Sequence, residues 1–366
     1  MQVFWQSGRP LPKRGAYWIG NSWNNPTPAM TFHALCLLTN TDVSRYAGPR
    51  HASKIPPIHP VTQGHQAMSG LLILFAVAAT ILSVTVAVAL LYQLRHPPRK
   101  TLAFALAHEW PTSPGDLDMA YEEHVLTLHD QTQTTLWTVQ GTGDPNSTMI
   151  ALHGYGESRF RTLSYLPILA KYAGQIIVPD VRAHGDATSK LSTFASMEHK
   201  DVFDIADRFC GDKQIVLWGH SFGAAVCIAA AAVEPHRFSA VIADGPYARL
   251  LKCIIRTLQS RRYPAYPFAW LVDWHFRFWQ GDYRQYDPIY MIPQLTCPLL
   301  VIHGDKDPVA PIEEARQLAK LTANGQFIDI YDGGHGNIHL VEPDRYDAVI
   351  NDFLSDLPNP PQADTI

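Results

Sequence analysis

The sequence predicts an α/β protein: a mostly parallel, doubly wound sheet with a helical cap insertion, preceded by one transmembrane helix. Three observations predict it. After residue 118, six short apolar runs lack the alternation of a half-exposed strand and are separated by helical stretches; strands buried on both faces are the signature of a parallel sheet. About fifty residues between Asp244 and Cys297 contain no clear strand and are dense in aromatic side chains. Residues 71–92 carry no charge over 22 positions.

Composition limits what the chain can be. Its 366 residues, 46% hydrophobic, suffice for one large domain of about 250 residues plus an extra segment. A net charge of −4 gives no basic field for nucleic acid. The five cysteines, Cys36, Cys210, Cys227, Cys253 and Cys297, form no C-x-x-C pair; four fall in apolar stretches, as reduced, buried thiols do. His335 and His339 share a four-residue spacing, but no glutamate follows His335 as a zinc-binding H-E-x-x-H helix requires. Neither a metal nor an organic cofactor is expected.

Residues 1–67 are rich in Trp, Pro, His and Asn and show no sustained period. They are expected to be an irregular upstream segment, with Met68 the natural start. Residues 68–94 read as the span. As a helix, the 22 uncharged positions would run about 33 Å, matching a hydrocarbon core of roughly 30 Å. Length argues against a cleaved signal peptide, because the run is too long for one and continues past Ala87-Val88-Ala89. Arg95, Arg99 and Lys100 follow the span closely, whereas Arg50 and Lys54 lie farther off on the other side. The positive-inside bias therefore puts the C-terminal domain in the cytoplasm.

Residues 95–117 are expected as a linker and 118–356 as the domain. His124 to His129 and Thr134 to Val139 alternate, predicting a hairpin. The buried runs are 149–152, 175–179, 214–218, 240–243, 298–302 and 327–330, with helices over 196–209, 222–234, 312–321 and 345–354. Residues 246–296 form the predicted cap, whose aromatics are read mainly as its own small core; Tyr247, Trp270 and Trp274 are taken as candidate substrate contacts. The proline-rich residues 357–366 are expected to fray.

Chemistry concentrates at predicted strand ends. Gly219-His220-Ser221-Phe222-Gly223 joins a buried strand directly to an alanine-rich helix. A serine on so sharp a turn crowds the backbone two residues to either side, where glycines stand. Its hydroxyl needs a base held by a carboxylate. His303-Gly304-Asp305-Lys306-Asp307-Pro308-Val309 follows one strand and Gly333-Gly334-His335-Gly336 the next. Asp307 is the preferred acid, with Asp305 a turn former and Asp244 in reserve; His335 is the preferred base. His220 is expected to pack, and His339 to begin the following segment. His153-Gly154-Tyr155-Gly156 follows the first buried strand, so the backbone N–H groups of Tyr155 and Phe222 are the expected oxyanion donors.

With Asp180-Val-Arg-Ala-His-Gly185 and Asp244-Gly-Pro-Tyr-Ala248, these motifs resemble the α/β-hydrolase superfamily. More narrowly, they resemble its serine aminopeptidase-like and monoacylglycerol-lipase-like branch, in particular a bacterial subgroup with one N-terminal span. The resemblance covers nearly all of 70–355 and does not extend to residues 1–67. It implies a serine carboxylesterase-like enzyme using Ser221, Asp307 and His335; the membrane span and the aromatic cap, rather than the resemblance, lead to the expectation of a hydrophobic ester or lipid substrate. A peptidase or thioesterase with the same triad, and a non-catalytic membrane-bound scaffold, are the alternatives. Haloalkane dehalogenation would need a carboxylate where Ser221 stands.

Overall fold

The computed structural model describes residues 62–260, 262–263 and 265–357. The readings of residues 1–61, of Cys36 and of the tail beyond 357 fall outside the described residues. Eight strands run β1 Tyr121–Thr127, β2 Gln133–Gln140, β3 Ser147–Leu152, β4 Gln175–Pro179, β5 Gln214–His220, β6 Ala240–Asp244, β7 Leu299–Gly304 and β8 Gly325–Ile330. They form one sheet in the order β1-β2-β4-β3-β5-β6-β7-β8. The β1–β2 and β2–β4 pairings are antiparallel and the rest parallel. The longer helices are α1 Thr62–Arg95, α2 Glu198–Phe209, α3 Phe222–Val233, α4 Leu250–Ser260, α5 Ala265–Gln280, α6 Ile312–Ala319 and α7 Pro343–Ser355.

The continuous apolar runs behave as two-sided strands. Ile150, Leu217, Val241 and Val301 belong to one apolar cluster, with α3; their neighbours Met149, Val216, Ile242 and Leu300 belong to another, with Tyr346, Ile350 and Phe353 of α7. Successive side chains leave opposite faces of a strand, so covering both faces demands apolar residues at every position. Helix α3 is itself buried from Phe222 to Ala232, and its alanines let it lie close to the sheet. The four described cysteines are unpaired, three of them buried.

Helix α1 contains the segment Met68–Arg95, whose most apolar 18-residue stretch has a mean hydropathy of 2.7, long and apolar enough to cross a membrane. It fits a membrane anchor. Among its described side chains, only Ala87 and Leu91 are buried, one turn apart on one face. Residues 95–117, expected as a linker, are instead fastened to the domain. The Ser192 N–H donates to the Arg95 carbonyl at 2.9 Å, and the Arg99 guanidinium donates to the carbonyls of Ala187 and Ser189. The cap region is helical, as expected, in α4 and α5.

Candidate active site

Register brings the loops to one rim. Leu152 of β3 pairs with Gly219 of β5, His220 with Asp244 of β6, Asp244 with Ile302 of β7, and Gly304 with Ile330 of β8. The residues just beyond these ends therefore share one edge. Strands β3 and β5 are sheet neighbours, although β4 lies between them in sequence on the other side of β3. The order of strand addition across the sheet reverses there while the strands stay parallel, and such switch points open a crevice beyond the strand ends.

Ser221 alone joins β5 to α3, at φ 52° and ψ −109°. Non-glycine residues rarely adopt that backbone, and holding it costs on the order of 1–3 kcal/mol. The flanking glycines follow from it. A Cβ at Gly219 would stand 2.4 Å from the Gly223 carbonyl carbon, and one at Gly223 would stand 2.3 Å from the Leu152 carbonyl oxygen. The Ser221 N–H donates to the Asp244 carbonyl at 2.7 Å, which ties the turn to the neighbouring strand.

The structure brings Ser221, His335 and Asp307 together. The Ser221 hydroxyl donates to His335 Nε2 at 2.8 Å, and His335 Nδ1–H donates to Asp307 Oδ2 at 2.6 Å. Asp307 Oδ1 accepts the N–H groups of Val309 (2.7 Å) and Ala310 (3.0 Å). Burial pushes the Asp307 carboxyl up, but the His335 hydrogen bond and charge, with His303 and the Ala310 N–H, hold it below the ordinary value. The loops bearing Asp307 and His335 touch at Gly304, where a Cβ would fall 2.2 Å from the Gly333 oxygen. Asp305 is exposed in the same loop.

The loop after β3 lies against the serine: a Cβ at Gly154 would stand 3.5 Å from that of Ser221. Phe222 is the first residue of α3, so its N–H has no carbonyl partner within the helix. Glu157 was not singled out from sequence. Its carboxylate accepts the Gly154 N–H at 3.1 Å. Burial acts against its charge, yet His220, Arg161, Lys100 and His153 together bring its pKa down to about 2. The E-x-x-x-R spacing of Glu157 and Arg161 was the available signal. The Tyr155 side chain leaves the serine altogether, its hydroxyl reaching the carbonyls of Gln93 and Leu94 in α1 at 2.9 Å each.

Asp244, the reserve acid, faces elsewhere. It accepts from His220 Nδ1 at 3.0 Å and from the Tyr346 hydroxyl at 2.7 Å; Trp218 Nε1 donates to that hydroxyl at 3.0 Å. His220 is thus hydrogen-bonded to a buried carboxylate, more than the packing residue expected. His339 is buried, stacked on Tyr165 and bonded to Ser164. Asp180 pairs with Arg159, whereas Arg182 bonds Asp201 and Asp130, so the two tie different loops.

The aromatic candidates divide. Tyr247 is buried in the apolar cluster around α3. Trp270 and Trp274 are exposed, so neither joins the small core expected of the cap aromatics. Ala265, Ala269, Val272 and Phe276 occupy the inward face of α5, at alternating four- and three-residue spacing, which turns the two tryptophans outward.

A parallel sheet with an antiparallel hairpin at one edge and a serine turn at its switch point defines the α/β-hydrolase class of fold. The sequence profile of the Alpha/beta hydrolase family matches residues 149–350, more than half of the chain. The chain belongs to that family. It is 22% identical over 223 residues to uncharacterized protein YqkD of Bacillus subtilis, a match covering 58% of this chain and 73% of YqkD. It is also 22% identical over 247 residues to lysophosphatidylserine lipase ABHD12 of Macaca fascicularis, covering 61% of this chain and 60% of the lipase. The match thus spans about three fifths of that relative's length. Among solved structures, the Pyrococcus furiosus esterase Pf2001 aligns with a TM-score of 0.57 at 22% identity, over 72% of this chain and 100% of the esterase.

Proposed function

We propose that the protein is a membrane-anchored serine hydrolase that cleaves hydrophobic esters through an acyl-enzyme. The observation that carries the reading is the hydrogen-bonded series Asp307–His335–Ser221. Ser221 Oγ attacks the ester carbonyl carbon while its proton passes to His335 Nε2. Asp307 keeps the ring in the tautomer that can accept this proton, and its charge stabilises the imidazolium. The carbonyl oxygen, now an oxyanion, accepts the N–H groups of Tyr155 and Phe222. Collapse breaks the ester C–O bond, and His335 returns the proton to the departing alcohol. Water then attacks the acyl-serine, with His335 again accepting a proton and returning it to Ser221, and the carboxylic acid leaves.

Membership in the family and kinship to a lipase support ester or lipid substrates. A single crossing by α1, with the domain on the cytoplasmic side, accords with Arg95, Arg99 and Lys100 following the apolar run. The test is a panel of p-nitrophenyl esters and matched thioesters and anilides on the detergent-solubilised full chain, with fluorophosphonate labelling. Ester cleavage and labelling at Ser221 are expected, and Ser221→Ala should lose about 10³-fold or more in kcat while remaining folded. Absence of both cleavage and labelling in the folded protein overturns the reading.

A further inference from the structure

Helix α5 is amphipathic in an unusual sense. Its inward face carries Ala265, Ala269, Val272 and Phe276, and its outward face carries more aromatic surface than that. Tyr266, Trp270, Trp274 and Phe278 recur every fourth residue, 73%, 71%, 53% and 67% exposed, with Trp279 beside them at 66%. At 1.5 Å per residue this ridge is about 18 Å long. A helix packed on a soluble domain turns charged and polar residues outward. Five such rings expose on the order of 600 Å², at the upper end of what a soluble monomer leaves uncovered.

We propose that the outward face of α5 is a lipid-contacting surface, seated at the headgroup–acyl boundary of the same bilayer that α1 crosses. The proposal rests on the reading of α1 as a span and deepens the hydrolase reading by saying from where an ester reaches the site.

Two further observations select a bilayer over other occupants. The first is residue choice. Trp and Tyr favour the membrane–water interface because one end of each ring system is apolar and the other polar. The exposed Arg277 and Arg262 accompany the ridge, as cations meeting lipid phosphates would.

The second is continuity with the anchor. Helix α1 is exposed over most of its apolar length and becomes buried at Ala87 and Leu91. Leu91 belongs to the apolar cluster that includes Val272 and Phe276 of α5. A chain of rings makes the connection: Phe276 lies 5.2 Å from Phe194, Phe194 stacks at 5.9 Å on Tyr155, and the Tyr155 hydroxyl meets the Gln93 and Leu94 carbonyls. Burial and the charge of Arg95 both hold the His275 ring of α5 below its ordinary pKa, which again sets this helix beside the end of α1. The domain therefore meets α1 at the level where its apolar run ends, which is where a bilayer surface lies. With α5 dipped into that boundary, an acyl ester enters from the leaflet without crossing water.

The test uses the full chain in nanodiscs of dioleoyl phosphatidylcholine and phosphatidylglycerol, with or without acyl chains brominated at the 6,7 positions. The fluorescence difference between the natural protein and a Trp270→Phe, Trp274→Phe, Trp279→Phe variant isolates the ridge tryptophans. Bromination should quench at least about half of that difference signal. In parallel, Trp270→Gln with Trp274→Gln and Phe278→Gln should lower hydrolysis of a bilayer-embedded long-chain ester about tenfold or more. The same variant should leave p-nitrophenyl acetate turnover within about twofold.

Unquenched difference fluorescence in a protein that resists alkaline carbonate extraction overturns the proposal and leaves the span intact. Release by carbonate overturns the span and the proposal with it. Dimers cross-linked through the Tyr266→Cys variant, with no quenching, would give the face to a second copy and also overturn it. Quenching needs no catalysis, so it stands or falls apart from whether any ester is cleaved.

Discussion

Replacing Asp307 with asparagine tests the proposed chemistry at its most specific point. The side chain keeps its shape, and its oxygen can still accept the Val309 and Ala310 N–H groups now bonded to Oδ1 at 2.7 and 3.0 Å. That choice fixes the other end: the amide NH2 must face His335 Nδ1, where a carboxylate oxygen now accepts at 2.6 Å. A donor there obliges Nδ1 to accept, which moves the ring proton to Nε2. Nε2 then has no lone pair for the Ser221 hydroxyl, although the 2.8 Å separation is unchanged. Such a tautomer error costs about 10⁴-fold in kcat in the well-studied serine proteases, about 5.5 kcal/mol of barrier. The assay is steady-state kcat on p-nitrophenyl butyrate with the full chain in detergent, beside fluorophosphonate labelling and a thermal melt. Asp305→Asn, in an exposed part of the same loop, should stay within about twofold. If folded Asp307→Asn keeps more than about a tenth of the activity, the orienting role assigned to this carboxylate is wrong.

Gly223→Ala would set a Cβ 2.3 Å from the Leu152 oxygen and 2.7 Å from the His153 oxygen, both backbone atoms. It should destabilise by at least about 2 kcal/mol, lowering Tm by roughly 4–8 °C in calorimetry. His220 responds to pH: burial disfavours its charge, but the Asp244 hydrogen bond and charge, with Glu157, raise its pKa above the ordinary value. Its contribution is fully present below the unfolded value of about 6.5 and is lost as pH rises through the folded value. Urea titrations should therefore show stability falling with rising pH from near neutrality, and His220→Gln should flatten that slope; an unaltered slope would refute the assignment. Tyr155→Phe removes the hydroxyl bonded to Gln93 and Leu94 and leaves the backbone N–H in place. It should cost about 0.5–1.5 kcal/mol of stability in a denaturant titration while kcat on a soluble ester stays within about threefold.

The central sheet was legible because burial on both faces leaves a continuous mark in sequence, and the strands predicted at 149–152 and 240–243 lie within β3 and β6. The serine turn was legible for a related reason, since Gly219 and Gly223 stand where no Cβ fits. Helix α5 shows where such reasoning stops. Its inward set of Ala265, Ala269, Val272 and Phe276 and its outward set of Tyr266, Trp270, Trp274 and Phe278 both satisfy a helical period. Periodicity finds faces but does not say which of two apolar faces turns inward. Reading the larger rings as core therefore misplaced Trp270 and Trp274.

Partners across distant loops were hidden for a different reason. Arg182 lies two residues from Asp180 in sequence yet bonds Asp201 and Asp130, while Asp180 takes Arg159. Only the register of the sheet decides such choices, and one chain does not disclose them. The same holds for Tyr155, whose neighbourhood in sequence is a glycine turn and whose hydroxyl partners lie 61 and 62 residues upstream in α1. That contact changes what the apolar helix is. A tether need only hold a domain near a surface, and a free linker would serve. Here the residue assigned an oxyanion N–H grips the last turn of α1 by its side chain. Pro98 lies within reach of a Cβ at Gly156 in the same loop, and Leu91 enters the domain's apolar cluster. The helix is thus packed into the domain beside the serine turn rather than tethered loosely to it, and cutting at residue 100 would remove those contacts.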